Sequence, residues 1–210
     1  MHNVTSNFLS PKVKENYSDN ENLKVLSYSD EIVKGSNPFA VVLVNEIIRE
    51  QDLRTVNQVD LEKILKLNIL NLRGKYVDSA LVLRSENELN SYLARDLLRQ
   101  LPNNQELPVM IPLCGLELRK DDKSNYGLAF NLTDNKKLIY NPLLNKSGNF
   151  LSEDLDGNGL PKKLGKGNRY FFGRDTGLTR VYLDDDLDLI SVNEFLDDSD
   201  DEVRIVIVNI

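Results

Sequence analysis

The chain has 210 residues, 40% hydrophobic and 28% charged, with a formal net charge of −7 at pH 7, a globular composition that excludes a disordered chain. Its one histidine, His2, stands in a polar terminal segment, and its one cysteine is Cys114; this excludes Ser-His-Asp and Cys-His catalysis, an intramolecular disulfide and the common zinc sites. No apolar run approaches the roughly 18–20 residues that span a bilayer, and the opening residues lack the basic start and apolar stretch of an export signal, so a soluble, cytoplasmic protein without a membrane partner is expected.

Residues 1–35 are polar and broken by Pro11, and read as an irregular arm with at most one short docked strand. Residues 36–210 read as one α+β domain. Ser36-Asn37-Pro38 has the pattern of a helix start, a capping side chain ahead of proline. The FAVVLVNEIIRE that follows is apolar on nearly every face, so the helix is expected to be buried, with a strand over 39–44 as the alternative. Asn57 and Asp60 have capping-box spacing, and Leu61, Ile64, Leu65 and Ile69 fall on one face of a second helix. Gly74 breaks it. Residues 79–83 are a short apolar run expected as a buried strand, residues 87–101 a third helix, and residues 108–113 another strand. Strand, helix and strand with short connections predict a βαβ unit with parallel strands.

Beyond it the pattern changes to hairpins. Residues 126–132 and 137–141 flank Thr133-Asp134-Asn135, residues 169–173 and 178–183 flank Arg174-Asp175-Thr176-Gly177, and 203–208 (VRIVIV) is a closing strand. The expected fold class is α+β: a mixed sheet, one βαβ unit followed by antiparallel hairpins, with helices mainly from the N-terminal half.

Charge is unevenly placed. The segment 184–202 holds ten acidic residues and no basic one, so the rest of the chain, 23 acids against 26 bases, is net +3. Just before it, Lys162, Lys163, Lys166, Arg169, Arg174 and Arg180 face Asp175 alone, within a region (157–180) that carries six of the 11 glycines and the aromatics Tyr170, Phe171 and Phe172. Glycine lets backbone amides approach an anion, the cations supply charge, and aromatics can stack on bases. The six cations are therefore the candidate ligand-binding residues, for a phosphate-bearing molecule, a nucleic acid or a charged protein partner. The spacing is not that of a P-loop, since Gly167 stands where Ser or Thr is required. A solvated loop with its aromatics turned inward is the plainer reading.

The acidic segment reads as a solvated face that screens charge. Asp197, Asp198, Asp200 and Asp201 cannot all be buried unpaired, and are expected to be exposed. Asp154, Asp156 and Asn158 match the first half of a calcium loop, but Gly165 stands where the closing glutamate belongs and Lys162 and Lys163 bring positive charge to the ion. An Asx-rich turn that holds no ion at physiological calcium is expected. Glu86, Glu117 and Asp121 follow the two strands of the βαβ unit. If those strands are parallel, the three carboxylates converge beyond their carboxyl ends, and could hold magnesium for phosphoester hydrolysis. As a charged turn and a helix's first turn, the same residues need no site at all. Cys114, between Leu113 and Gly115, reads as a core residue, with no histidine to activate it. A binding module that uses the basic region is the leading expectation. The alternative is a divalent-metal phosphoesterase or nuclease.

Overall fold

A computed structural model of the chain describes residues 27–29, 32–34, 36–134, 136–199 and 202–210. Most of the expected N-terminal arm, with His2 and Pro11, lies outside them, as do Asn135, Asp200 and Asp201. Within the arm, strands β1 (Ser27–Ser29) and β2 (Ile32–Lys34) pair antiparallel, where one strand at most was expected.

Helix α1 (Pro38–Ile48) begins where the sequence placed it. The Asn37 side chain accepts a hydrogen bond from the Ala40 amide at 2.9 Å, a cap that stabilises a helix by about 1 kcal/mol. Every residue of α1 except Glu46 is buried, so the apolar run is helical and not a strand. Asn45 is buried on it, and its side-chain oxygen accepts from the Thr55 amide at 3.0 Å, which fixes strand β3 (Leu53–Thr55) beside the helix.

Helix α2 (Gln58–Lys66) has the full capping box between Asn57 and Asp60. Leu61 and Ile64 are buried, but Ile69 lies past the helix end and is 60% exposed. The chain leaves the helix through Asn68, whose φ of 51° is left-handed. Asparagine tolerates that conformation and so ends helices, which turns Ile69 off the expected face. Strand β4 (Val77–Leu83) is buried at all seven positions. Helix α3 (Ser91–Gln100) starts four residues later than expected, because Glu88 and Asn90 both have positive φ. Strand β5 is Val109–Pro112.

β4 and β5 pair antiparallel, with Leu83 opposite Val109 and Ala80 opposite Pro112, which corrects the parallel βαβ unit. Residues 101–108, after the short α3, carry the chain back to the end of the sheet it left, so β5 runs down where a parallel crossover would run up. The expected hairpin of 126–132 with 137–141 is also absent. Strand β7 (Leu128–Leu132) pairs with β6 (Leu116–Lys120) in a separate two-stranded sheet, and β8 (Ile139–Tyr140) pairs with β5. Residues 117–122 (ELRKDD), for which a charged turn was the plainer reading, begin within β6, where Leu116 and Leu118 are buried and Glu117 and Lys120 exposed, the alternation of a strand with one wet face.

The main sheet has seven strands in the order β8-β5-β4-β11-β12-β10-β9, with β9 at Gly148–Phe150, β10 at Arg169–Phe172, β11 at Leu178–Leu183 and β12 at Leu189–Ile190. It is mixed: β10 and β12 are parallel and the other pairs antiparallel. β10 and β11 are not a simple hairpin, because β12 inserts between them. Its Leu189 and Ile190 come from the acidic segment and are buried, so that segment is partly core. Asp197 and Asp198 are exposed as expected. The closing strand is shorter and later than 203–208: β13 (Ile207–Asn209) pairs with β3, while Val203 bridges Tyr76.

Leu81, Leu83, Val109 and Ile111 pack with α1, α3, β6 and β7 on one face of the sheet. Ala80, Val82, Met110 and Val181 pack with α2, Phe150, Leu160 and Phe171 on the other. The fold is α+β around a mixed sheet, and its α-helices precede residue 101. No helix among the described residues is long and apolar enough to cross a membrane.

Candidate functional site

Because β5 runs opposite to β4, the residues that follow the two strands emerge at opposite ends. Glu86 is exposed and meets Arg95 at 3.5 Å; Glu117 is exposed on β6 and meets Arg49 at 3.6 Å. Asp121 sits at the far end of β6, where its carboxylate accepts from the Tyr92 hydroxyl at 2.8 Å, the Arg119 guanidinium at 2.7 Å and the Lys123 amide at 3.1 Å. The Tyr92 hydrogen bond first, then those from Lys123 and Arg119, hold it below the ordinary carboxylate range. Each of the three acids is tied to a different neighbour. Among the described residues no group of three or more acidic, histidine or cysteine side chains could hold a metal ion.

The basic region is divided between inward arginines and exposed lysines. Arg180 is buried and forms a two-pronged ion pair with buried Asp78, at 2.8 and 3.1 Å, while its Nη1 donates to the carbonyl of Asp198 at 2.8 Å. Burial raises the Asp78 carboxyl to about 6, against the pull of Arg180. Arg174 pairs with Glu194 at 3.1 Å. Lys162 and Lys163 are exposed and share Asp154, at 3.5 and 3.4 Å; Lys166 is exposed. Two of the glycines, Gly167 and Gly173, serve the packing of chain on chain. A Cβ on Gly167 would stand 1.8 Å from the Phe150 carbonyl oxygen, and one on Gly173 would stand 2.2 Å from that of Lys146. The loop 154–160 is an Asx turn: the Asp156 carboxylate accepts from the amides of Asn158 at 2.7 Å and Leu160 at 3.0 Å. Burial pushes the Cys114 thiol up, away from the thiolate a nucleophile needs.

Arg169 differs from the other cations. It is 7% exposed and stands at the start of β10, with its guanidinium 4.9 Å from the centre of the Phe150 ring. Nη1 donates to Glu62 at 2.6 Å and Nε to the Leu187 carbonyl at 2.5 Å. The third nitrogen, Nη2, is buried and has no hydrogen-bond partner among the described residues. Leaving a buried charged donor unmatched costs about 1–3 kcal/mol or more. Its position is fixed from beneath: the Ser79 hydroxyl of β4 donates to Gln58, Gln58 donates to Glu62, and Glu62 receives Arg169. On the other side, Leu187 holds a φ of 73°, a left-handed backbone that a branched apolar residue rarely adopts, and that backbone carries the carbonyl bonded to Arg169.

These groups wall a cavity of about 290 Å³. α2 contributes Glu62, Leu65 and Lys66, and the loop after it contributes Arg73. The chain beyond β9 brings Ser152 and Glu153, the approach to β10 brings Asn168 beside Arg169, and the β11–β12 turn brings Asp186 and Leu187. Asn168 and Ser152 bond one another through their side chains at 3.1 Å, and Ser152 donates to Glu153 at 3.3 Å. Lys66, Arg73, Glu153 and Asp186 are exposed, and they form the charged rim. Of the six cations singled out in the sequence, only Arg169 reaches this cavity. The others in its wall come from five separated stretches of chain. One signal was present: Gln58 and Glu62, four apart on the inward side of α2, are polar residues on an apolar face, and such residues need a buried partner.

A second, smaller cavity of about 170 Å³ lies at the start of α3, beside Tyr92 and Tyr126. Among its lining groups the Tyr126 hydroxyl donates to Asn90 at 2.8 Å, and Asn90 donates to the carbonyls of Leu178 and Glu194. Comparison of the chain with protein-family models, with curated proteins and with solved structures finds no match.

Proposed function

We propose that the chain is a binding protein for a small molecule with an anionic group, a carboxylate or a phosphate, taken up in the cavity beside Arg169. The observation that carries this reading is the cavity wall itself, in which Arg169 stands with the exposed cations Lys66 and Arg73. An anion there would gain charge-assisted hydrogen bonds from Lys66 and Arg73, beside an Arg169 already held in place by Glu62. Lys66 and Arg73 support the reading, since neither makes an ion pair with a described residue. A broad basic surface for nucleic acid or an acidic protein has weaker support. Arg169, Arg174 and Arg180 are engaged internally, and Lys162 and Lys163 already face Asp154.

The test is calorimetric titration with inorganic phosphate, a nucleoside monophosphate and a series of small carboxylates, some carrying an amine. At least one should bind, and the Lys66→Ala/Arg73→Ala variant should weaken it about tenfold without loss of thermal stability. Arg169→Lys, which keeps a charge for Glu62 but loses the planar fork, should weaken it further. If no compound binds, or if binding is unchanged in both variants, the reading is wrong.

A further inference from the structure

We infer that the cavity's ligand is a zwitterion, a free α-amino acid. The inference rests on the reading above and adds the second charge. Three cations and three carboxylates wall the space. Arg169 and Glu62 form a buried pair at 2.6 Å, which leaves two cations, Lys66 and Arg73, and two carboxylates, Glu153 and Asp186, on the exposed rim. Neither acid is in an ion pair among the described residues. A phosphate monoester, near −2 at neutral pH, would meet both of them as like charges. A cation would meet Arg169, Lys66 and Arg73. A molecule with a carboxylate and an ammonium satisfies both sets, with the carboxylate towards Lys66 and Arg73 and the ammonium towards Glu153 and Asp186.

Size and lining agree. A volume of about 290 Å³ is at the small end of ligand pockets, which suits a molecule of amino-acid size better than a nucleotide. Leu65 and Leu187 supply an apolar wall against which an aliphatic side chain can lie. Asn168 and Ser152 give neutral polar groups beside the charged ones. Electrostatic match of this kind selects among ligands more than it raises affinity.

The experiment titrates the intact protein with the twenty standard amino acids. The best binder is then compared with its N-acetyl and its carboxamide forms, and with inorganic phosphate. The expected result is that one or more amino acids bind, and that either cap weakens binding at least tenfold. Glu153→Gln/Asp186→Asn, two exposed substitutions, should weaken the free amino acid about tenfold and leave the N-acetyl form unchanged. If phosphate or the N-acetyl form binds as well as the amino acid, the zwitterion is wrong and the anion-binding reading stands. Tighter binding of the carboxamide overturns both. Binding by none of these compounds overturns the zwitterion, and the anion-binding reading then falls or stands on the nucleoside monophosphate and the small carboxylates.

Discussion

Asp78 and Arg180 face each other from adjacent strands with almost no exposure, and their pairing links the centre of the sheet to the carbonyl of Asp198 in the acidic segment. A buried ion pair is weak evidence for net stability, but removing one partner leaves the other charged and unmatched. Asp78→Ala, which removes both acceptors of Arg180, should therefore destabilise the protein by about 3 kcal/mol at pH 7, measured by chemical denaturation. The pH dependence has a definite sign. Burial raises the folded carboxyl to about 6, above the unfolded value near 3.9, so between those limits the folded state binds a proton that the unfolded chain releases. The contribution of Asp78 to stability then falls as pH rises from about 4 to 6. The margin of the native protein over Asp78→Ala should narrow across that window and level off above it. A margin that widens with rising pH would show that the attraction of Arg180 outweighs the cost of burial.

Gly167 shows how a compositional signal can have a packing cause. It precedes β10, and the backbone there passes so close to β9 that a Cβ would collide with the Phe150 carbonyl and the Leu151 nitrogen, at 1.8 and 2.6 Å. Gly167→Ala must push two backbones apart beside Phe150 and Arg169, and should cost more than 3 kcal/mol, the range of severe steric changes, read as a fall in thermal midpoint. The substitution should also abolish ligand binding, because β10 carries Arg169. The glycines that suggested a phosphate cradle were legible only as glycines. Whether they meet an anion or a neighbouring strand depends on the approach of another segment, and the 18 residues between positions 149 and 168 are too many for local rules to place.

The charge of the whole molecule is divided differently from that of its sequence. The acidic and basic blocks, adjacent in the chain, neutralise each other only in part: Arg174 meets Glu194, but Arg169 goes to Glu62 and Arg180 to Asp78. What remains outside is Lys162, Lys163 and Lys166, whose side chains are solvated. Replacing all three with alanine should shift stability by less than about 0.5 kcal/mol, by denaturant titration, and should leave small-ligand binding in the cavity unchanged. A loss of ligand affinity in that variant would move the site away from Arg169 and towards the loop.

The sequence by itself determined the three helices after residue 36 and the starts of α1 and α2, though not that of α3. A cap and its partner lie three residues apart, as with Asn57 and Asp60, and an apolar run such as that of α1 declares its burial within two turns. It also determined which segments are strands over 79–83 and 108–113, since full burial needs a continuous apolar run. Only the tertiary structure decided how strands pair. Direction in a sheet depends on where the chain returns after a helix, so β4 and β5 came out antiparallel and the carboxylates Glu86 and Glu117 were parted. β12 likewise enters the sheet on two residues, Leu189 and Ile190, too few to show a period among aspartates. The cavity was decided the same way, because the neighbours of Arg169 stand up to 107 positions from it in the chain, and hydrogen-bond partners at that separation leave no pattern in sequence that spacing can reveal.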